Sequence, residues 1–564
     1  MNRRDIIKKS LFAGSSLLLG KYIFPHEILN NVFAATPMRR TGNPLRFPPV
    51  LSGNNLILSK INYDIFPTGQ TQVYAMNNSY LSPTIIAEKG SVVTVQFSNQ
   101  LTNEDATIHW HGLSVPELMD GHPKDPITPG NSYTYSFPVL NRAGTYFYHA
   151  HAHELTAKQV YQGFAGLFLI TDPDEAQLGL PSGTFDVQLV FKDNRNTNIP
   201  QFTYAPGMVE EMDGYLGDFV IVNGTYDQYL NISKTLYRFR LLNGSNARVY
   251  KIAFSNNQQF HIIGNDGGLI DAPTPMTSTY LAPGERIDIL VDFSSLQISD
   301  SLYLKSLSYP LQGVGTYKQG IELNLLRLDV TNDSPSNGII PTTLFPLQRY
   351  NANDVVNNRL FILSMSMGGG GMQHKINDKV FSMSRIDEEI PRNDLEMWNI
   401  SNTTDEFHPM HIHGVQFQVY SRNGNTTLSP NESGWKDTVL VNPQENVGLL
   451  IKFSDYAGIF LLHCHNLEHE DTGMMLNIRI NEPNAVQEHQ NEEHNSVQVS
   501  EQHSHIIFHL PTQRTGNDFS VFNILGKKVF EQSVADNESV VQLETQLFPS
   551  GIYFGTVGNL KFRF

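Results

Sequence analysis

Residues Leu461–Met475 read LLHCHNLEHEDTGMM and contain the only cysteine of the 564-residue chain, Cys464. A histidine stands on each side of this cysteine, and the same segment carries His469 and Met474. A thiolate, imidazoles and a weakly bound thioether are together the ligands of a blue-copper electron-transfer site. Such a site needs a second histidine from elsewhere, which the segment HPMHIHG at His408–Gly414 offers.

The side chains around Cys464 point in opposite directions if this segment ends a β-strand. Successive side chains of a strand alternate between its two faces. Cys464 would then face one metal site, while His463 and His465 would face another. A short peptide segment would therefore join two metal centres covalently, which is an arrangement suited to electron transfer between them.

Histidines spaced two residues apart recur along the chain. The further pairs are His109 and His111 in IHWHG, His149 and His151 in YHAHAH, and His411 and His413 in HIHG. On a strand, both members of such a pair lie on one face. Neutral imidazole suits copper and other late first-row ions. The chain therefore offers four pairs of candidate metal ligands.

Each of these signals has a simpler interpretation when it is taken alone. A single His-x-His is usually a surface or hydrogen-bonded histidine, and a lone cysteine is usually an inert buried thiol. Paired histidines can equally form a tetrahedral zinc site. Zinc does not explain four histidine pairs together with a Cys–His–Met segment, and chance does not explain all four pairs in order.

The four segments resemble the copper-binding segments of the multicopper oxidases, a family that includes laccases, bilirubin oxidases and bacterial copper-efflux oxidases. The resemblance extends from about Asn43 to Ile480, and it implies four copper ions. It implies a type 1 copper held by His408, Cys464, His469 and Met474. It implies a type 2 copper on His109 and His411, and a type 3 pair with one ion on His111, His149 and His465 and the other on His151, His413 and His463.

Two acidic residues resemble carboxylates that the family places near its three-copper cluster to assist protonation of reduced oxygen. They are Asp120 in ELMDGHP and Glu470 in EHEDTG. Asp120 could equally belong to an Asp-Gly turn. Glu470 could be a loop carboxylate that accepts hydrogen bonds from nearby amides.

Short alternating strands separated by Gly, Pro and Asn predict an all-β chain with several domains. The resemblance implies three cupredoxin-like Greek-key β-sandwich domains, at residues 43–173, 174–340 and 341–482, and a small C-terminal β-sandwich domain at 505–564. The middle domain has no paired histidines, so we expect it to hold the outer two together. The range 483–504 is rich in His, Gln and Glu and predicts a flexible linker.

Both ends of the chain indicate export. Residues 1–35 begin with a basic stretch and a short apolar run. The pair Arg3-Arg4 resembles a twin-arginine signal, and a Sec signal with an incidental arginine pair is the alternative. The segments ILGKKV and PSGIYF resemble the C-terminal sorting domains of secreted Bacteroidetes-type proteins, which implies a secretion machinery as partner. We expect a mature protein without membrane insertion that is periplasmic, at the cell surface or secreted.

The net charge of the chain limits the classes of molecule that it is expected to bind. A net charge of −16 argues against nucleic acid and anionic membrane surfaces. The resemblance implies a laccase-like enzyme that couples one-electron oxidation of a small reducing substrate, a phenolic or other organic donor or a metal ion, to the four-electron reduction of O2 to water.

Three alternatives to a laccase-like enzyme remain at this stage. The first is a cuprous-ion oxidase for copper tolerance, with soft ligands at Met365, Met367, Met372 and His374; these methionines could instead fill a core. The second is a copper nitrite reductase, which lacks the full set of histidine pairs. The third is a non-enzymatic blue-copper electron carrier, which needs only the type 1 ligands.

Overall fold

The computed structural model describes most of the chain after residue 40. The described residues are 41–195, 200–310, 318–335, 338–368, 371–482, 498–502, 505–510, 518–523, 527–535, 540–544, 553–557 and 560–563. The expected export signal at 1–35 and the linker histidines His489, His494 and His503 lie outside them. The chain divides into two compact units, Met1–Asn481 and Glu482–Phe564. Among the described residues, no helix has the length and apolar character that a bilayer crossing requires.

The first sandwich packs two four-stranded sheets around one core. One sheet contains, in hydrogen-bonded order, Gly69–Met76, Asn55–Phe66, Val92–Asn99 and Ser132–Pro138. The other contains Ser82–Glu88, Ala165–Thr171, Gly144–Ala150 and Ile108–His111. In the strand Ile108–His111 the side chains alternate between the two faces of the sheet. Ile108 and Trp110 enter the core, so His109 and His111 point away from it.

The second sandwich has two six-stranded sheets. The first contains Asn43–Pro44, Gln228–Lys234, Leu323–Asp333, Ser301–Ser306, Tyr250–Phe254 and Ser278–Leu281. The second contains Phe219–Val222, Asp186–Asn194, Leu236–Asn243, Arg286–Asp292, Phe260–Asn265 and Gly268–Met276. Asn43–Pro44 was expected in the first domain. It pairs here because the next residue, Leu45, buries its side chain in the core of the second sandwich.

The third sandwich has two five-stranded sheets. One contains Gly371–Ile376, Asn357–Gly368, Glu396–Asn402, Asn446–Ile451 and Phe417–Arg422. The other contains Glu388–Pro391, Met475–Asn481, Gly458–Cys464, His408–Ile412 and Thr438–Val441. Antiparallel pairing sets Met410 opposite Cys464 and His411 opposite His463. This register brings two of the histidine segments side by side.

The helices of the described residues are short. The α-helices are Thr156–Tyr161, Pro173–Ala176, Met208–Asp213 and Leu467–Asp471, and the 3-10 helices are Glu117–Met119, Gly183–Phe185, Ala352–Asp354 and Pro430–Glu432. The helix Leu467–Asp471 follows directly on the cysteine strand. Its Asp471 carboxylate accepts hydrogen bonds from the backbone amides of Thr156, at 3.3 Å, and Ala157, at 3.0 Å. The third sandwich is therefore tied to the first beside the metal-ligand segment.

The C-terminal unit is a small sandwich of its own. Its sheets contain Gln498–Gln502, His505–His509 and Val540–Glu544, and Lys528–Ser533, Asp518–Asn523, Tyr553–Val557 and Leu560–Arg563. Phe508 and Phe519, from different sheets, share one core. Gln498–Gln502 lies inside the range expected to be linker. The polar composition of this segment did not predict a strand, because the strand is held by backbone pairing with His505–His509. The all-β fold with cupredoxin-like sandwiches is confirmed.

Candidate metal centres

Three predicted ligands converge inside the third sandwich. The Cys464 sulfur lies 3.6 Å from His408 Nδ1 and 3.7 Å from His469 Nδ1. The two Nδ1 atoms are 3.1 Å apart, and all three side chains are fully buried. Met474 is buried in the same core cluster, and its backbone oxygen accepts a hydrogen bond from the Cys464 amide at 3.0 Å. Two imidazole nitrogens and the cysteine sulfur therefore meet at one point, and Met474 belongs to the same core.

Hydrogen bonds fix which nitrogen each of these rings presents. Thr404 donates its hydroxyl to Asn402 Oδ1, so it accepts from His408 Nε2 at 2.8 Å. His469 Nε2 donates to the backbone oxygen of Met212 at 2.8 Å. Both rings therefore keep the lone pair on Nδ1, facing Cys464. A partner on the far nitrogen is the usual way in which a protein orients a metal-binding imidazole.

The eight paired histidines form a second, larger cluster. Four come from the first sandwich and four from the third, from strands or from the residues just after them. The close nitrogen pairs are His109 Nε2 and His411 Nε2 at 3.2 Å, His111 Nδ1 and His149 Nε2 at 3.3 Å, His151 Nε2 and His463 Nε2 at 3.4 Å, and His413 Nε2 and His463 Nε2 at 3.0 Å. His465 completes the set, with its ring centre 4.9 Å from that of His111 and 5.1 Å from that of His149.

Backbone carbonyls orient several of these rings. His109 Nδ1 donates to the oxygen of Asp120, His411 Nδ1 to that of Asp437, and His149 Nδ1 to that of Ala150, each at 2.8 Å. Their Nε2 lone pairs are therefore directed into the cluster. His465 is fully enclosed, and neither of its ring nitrogens has a hydrogen-bond partner among the described residues. An imidazole binds a metal ion through one of its two nitrogens, so a metal ion would supply a partner for one of them.

The electrostatics of the cluster also fit copper. Burial, followed by the neighbouring imidazoles, lowers the pKa of His111 and His465 well below 6.5. Burial lowers the pKa of His149 to about 3. These rings are therefore neutral near pH 7 and offer lone pairs. Burial raises the pKa of the Cys464 thiol, so its thiolate needs the charge of a bound metal ion. Imidazole with one thiolate and one thioether is a donor set that suits copper.

Asp120 lies at the edge of the cluster and on a turn. Its Oδ2 accepts a hydrogen bond from His413 Nδ1 at 2.7 Å. The next residue, Gly121, has φ +79°, and a Cβ there would lie 1.9 Å from the oxygen of Ile108. The Asp-Gly turn and the carboxylate contact with the cluster are thus both present. The turn requires glycine and carries Asp120 to His413.

Glu470 lies beside two other histidines of the cluster. Its Oε2 is 3.1 Å from His463 Nδ1, and its Oε1 is 3.6 Å from His151 Nδ1. Neither oxygen accepts a hydrogen bond from a described group. The interpretation as a loop carboxylate that binds amides is therefore not supported.

A carboxylate that the sequence did not predict lies beside His111. Asp437 Oδ1 lies 3.0 Å from His111 Nε2, and Arg286 donates to both Asp437 oxygens, at 2.7 and 2.6 Å. Asp266 and Lys436 extend this buried network, with 2.8 Å between the Lys436 nitrogen and Asp266 Oδ2. Because Arg286 is on the second sandwich and Asp437 on the third, the middle domain positions ligands that it does not itself supply. No local pattern marks these residues.

Comparison with known proteins agrees with this geometry. Three multicopper oxidase family models match residues 60–175, 203–327 and 352–484, and a secretion system C-terminal sorting domain matches 500–562. "Cell division protein FtsP" of Xenorhabdus nematophila is 32% identical over 493 residues, covering 85% of this chain and 99% of that protein. "Multicopper oxidase mco" of Staphylococcus haemolyticus is 31% identical over 452 residues, covering 78% and 92%.

A solved structure shows the same relationship. The McoA multicopper oxidase of Aquifex aeolicus aligns with a TM-score of 0.72 and 35% identity, over 78% of this chain and 100% of that one. The predicted family resemblance and the C-terminal sorting domain, which marks the protein for export, are confirmed. The chain belongs to the multicopper oxidases, and it is a laccase-like, copper-dependent oxidoreductase with O2 as its electron acceptor.

Proposed function

We propose that this oxidase holds four copper ions in the two clusters. The proposed type 1 ligands are His408, Cys464, His469 and Met474. The proposed type 2 ligands are His109 and His411, and the proposed type 3 ligands are His111, His149 and His465 for one ion and His151, His413 and His463 for the other. The observation that carries the proposal is that the close nitrogen pairs, 3.0–3.4 Å apart, each join two residues assigned to the same ion. The ring of His465 lies near those of His111 and His149.

The peptide from His463 to His465 supports a link between the clusters. Cys464 faces the mononuclear ligands, and its two neighbours face the larger cluster, as strand alternation requires. When bound, the copper ions supply the one-electron oxidation of a donor and the four-electron reduction of O2. The chain holds the two sites in one short covalent segment and excludes water from both, since every proposed ligand is buried.

Asp120 and Glu470 are proposed to position the type 3 histidines. Asp120 fixes the ring of His413 through its Oδ2, and Glu470 lies against His463 and His151. Asp120 Oδ1 is buried and has no hydrogen-bond partner among the described residues. That each carboxyl group also carries protons to reduced oxygen is implied by the family resemblance and stays a prediction.

An organic donor has a candidate binding place in a cleft with aromatic side chains in its wall. A cleft of about 770 Å³ lies between the second and third sandwiches. Its wall includes Tyr280, Tyr309 and Phe407, with ring centres 5.3 Å and 6.2 Å apart in turn. Phe407 immediately precedes His408. An aromatic wall that includes the residue preceding a type 1 ligand favours a phenolic or other aromatic donor as one class of substrate.

Oxygen uptake with copper-loaded protein tests this function. With 2,6-dimethoxyphenol as donor, we expect four copper ions per chain, an intense visible band from the thiolate–copper site, and O2 consumption. A non-enzymatic electron carrier would consume no O2. Colourless protein, or one copper ion per chain, would contradict the proposal.

A matched pair of histidine variants tests the ligand assignment. His411→Gln should lower the copper content and abolish O2 uptake, because a buried type 2 ligand is lost. His261→Gln makes the same chemical change on the second sandwich, where the side chain is only partly buried and lies outside the cluster, so it should leave both quantities unchanged. Equal effects of the two changes would exclude the assigned role of His411.

The destination of the protein is also a proposal beyond export itself. We infer that the C-terminal unit delivers the enzyme through a secretion machinery to the cell surface or medium, with a periplasmic location as the alternative. The folded sandwich at residues 498–563 supports a separable sorting module, since it has its own core. A chain ending at residue 482 should retain copper and accumulate in the periplasm.

A further inference from the structure

An exposed apolar segment, here called the ridge, lies at residues 204–209. It reads YAPGMV and contains no charged or amide side chain. Met208 is 55% exposed and Val209 is 59% exposed. Single exposed apolar residues are ordinary, but a run of them is a mark of an interaction surface. The ridge continues into the helix Met208–Asp213, which packs against the helix Leu467–Asp471.

Hydrogen bonds hold the ridge in place. The Tyr204 hydroxyl donates to Glu468 Oε1 at 3.0 Å, and the backbone amide of Tyr215 donates to Glu468 Oε2, also at 3.0 Å. The amide of Gly207 donates to Glu210 Oε2 at 3.0 Å. The ridge is therefore a preformed surface, and a partner that binds it loses little free energy in ordering it.

The ridge is connected to a proposed type 1 ligand. The backbone oxygen of Met212 accepts a hydrogen bond from His469 Nε2 at 2.8 Å. His469 Nδ1 in turn lies 3.7 Å from the Cys464 sulfur. Met212 stands four residues after Met208 in the same helix, which corresponds to about 6 Å along its axis. An electron that arrives at the ridge thus has a short path through the helix backbone, one hydrogen bond and one imidazole.

Negative charge lies beside the ridge. The helix carries Glu210, Glu211 and Asp213. Within the described part of the chain only Glu210 of these three forms an ion pair, with Arg195 at 2.9 Å. Burial raises the pKa of Asp213 to about 6, which leaves it ionised at pH 7. The whole chain has a net charge of −16. Both the local and the overall charge therefore favour a positively charged partner.

The shape of the ridge favours a protein as this partner. Sites for small molecules are concave, whereas Gly207, Met208 and Val209 are consecutive and all exposed. The cleft of about 770 Å³ is lined by residues of other segments. Weak electron-transfer complexes between proteins bury less than about 1,200 Å² in total, so a short ridge suffices for one.

We propose that the ridge docks a small, positively charged electron-carrier protein, which gives electrons one at a time to the oxidase through Met212 and His469. The inference rests on the proposed oxidase function, and it adds a protein to the classes of reducing substrate. Four reduced carriers lose one electron each, and one O2 takes up these four electrons and four protons to give two water molecules.

Binding of an oxidised carrier tests the surface without turnover. The sample is the copper-loaded full chain, and the probe is ferric cytochrome c of positive net charge, titrated calorimetrically at an ionic strength of about 20 mM, where charge attraction is weakly screened. We expect Met208→Ser/Val209→Ser to raise the Kd at least tenfold. Ile86→Ser/Val92→Ser removes two aliphatic side chains of similar exposure, 50% and 68%, from the first sandwich, and should leave the Kd unchanged. Equal Kd values for the two double variants overturn the proposal.

The sign of the partner's charge is tested with an acidic carrier. A plant-type ferredoxin should bind the unchanged protein at least tenfold more weakly than cytochrome c does. Equal binding of the two carriers overturns the proposal. A dimer of the unchanged protein in sedimentation that Met208→Ser/Val209→Ser dissociates also overturns it, since the ridge would then bind a second copy of the chain.

Steady-state oxidation provides the last measurement. We expect Met208→Ser/Val209→Ser to lower the ratio of kcat/KM for ferrous cytochrome c to kcat/KM for 2,6-dimethoxyphenol at least tenfold relative to Ile86→Ser/Val92→Ser. An unchanged ratio overturns the proposal. Absence of O2 uptake with the phenol in the unchanged protein refutes the oxidase proposal instead, whereas the Kd values for ferric cytochrome c decide the docking surface by themselves.

Discussion

Replacement of Arg286 by methionine should destabilise the protein and empty part of the larger copper cluster. The Arg286 side chain is fully buried where the three sandwiches meet. It donates to the oxygen of Thr145 on the first sandwich at 2.9 Å, to that of Asp266 on the second at 3.0 Å, and to both oxygens of Asp437 on the third. Arg286→Met keeps much of the side-chain volume and removes all of these contacts.

The size of the effect follows from the charges left behind. The network contains Arg286, Lys436, Asp266, Asp437 and Glu285. Without the guanidinium, Lys436 alone faces three buried carboxyl groups. Removal of one partner from a buried ion pair typically costs about 3–5 kcal/mol in the free energy of unfolding. The double variant Arg286→Met/Asp437→Asn should recover part of this loss, because it removes one uncompensated carboxylate as well.

Two measurements check this prediction. The first is the denaturant midpoint of the copper-loaded protein, with Arg349→Met as the control. Arg349 also pairs with an aspartate, but it is 49% exposed, so its loss should cost at most about 1 kcal/mol. The second is copper per chain together with the type 2 resonance signal, since Asp437 orients His111 and His411.

A specific result would refute the reasoning. If Arg286→Met unfolds at the same denaturant concentration as Arg349→Met and retains all its copper, the buried network does not hold the cluster. Full recovery of the midpoint in the double variant without recovery of copper would separate the two roles, with Arg286 acting on stability and Asp437 on the ligands.

Two further predictions concern the loop after the first histidine pair. Gly121→Ala should lower the free energy of unfolding by about 1–3 kcal/mol more than Gly130→Ala. Both glycines have positive φ, but only the Cβ at 121 would meet backbone, 1.9 Å away, whereas the Cβ at 130 meets nothing within 4 Å; equal denaturant midpoints for the two variants would contradict this. Burial lowers the pKa of His122 to about 4, below its unfolded value, so the unfolded chain binds a proton that the folded chain excludes, and stability is lost as the pH falls from about 6.5 towards 4. His122→Gln should remove up to about 3 kcal/mol of that pH dependence, measured as the midpoint at pH 7 minus that at pH 4.5, and an unchanged difference would refute it.

The copper-ligand segments could be predicted because their information is local. Two-residue spacing assigns a face, and the structure places His109 and His111, or Cys464 and His463, on the faces that alternation requires. The grouping of the rings into pairs and trios came from the family resemblance. It could not come from spacing, since the paired nitrogens of His109 and His411 belong to residues 302 positions apart.

The supporting residues could not be predicted for the same reason. The role of Asp437 can be inferred only from its contact with Arg286, 151 positions away. Neither residue stands in a recognisable sequence motif. Domain edges were missed where backbone pairing overrides composition, as at Asn43–Pro44 and Gln498–Gln502.

The chain has a single sulfhydryl group, so a thiol-directed reagent can report on one position of the enzyme alone. Cys464 is completely enclosed and lies between the two histidines of the mononuclear site. Any thiol-directed reagent that labels the protein must therefore have reached this one position. The stoichiometry of labelling counts molecules whose third sandwich has opened or lost its metal, and it does so without interference from any other group.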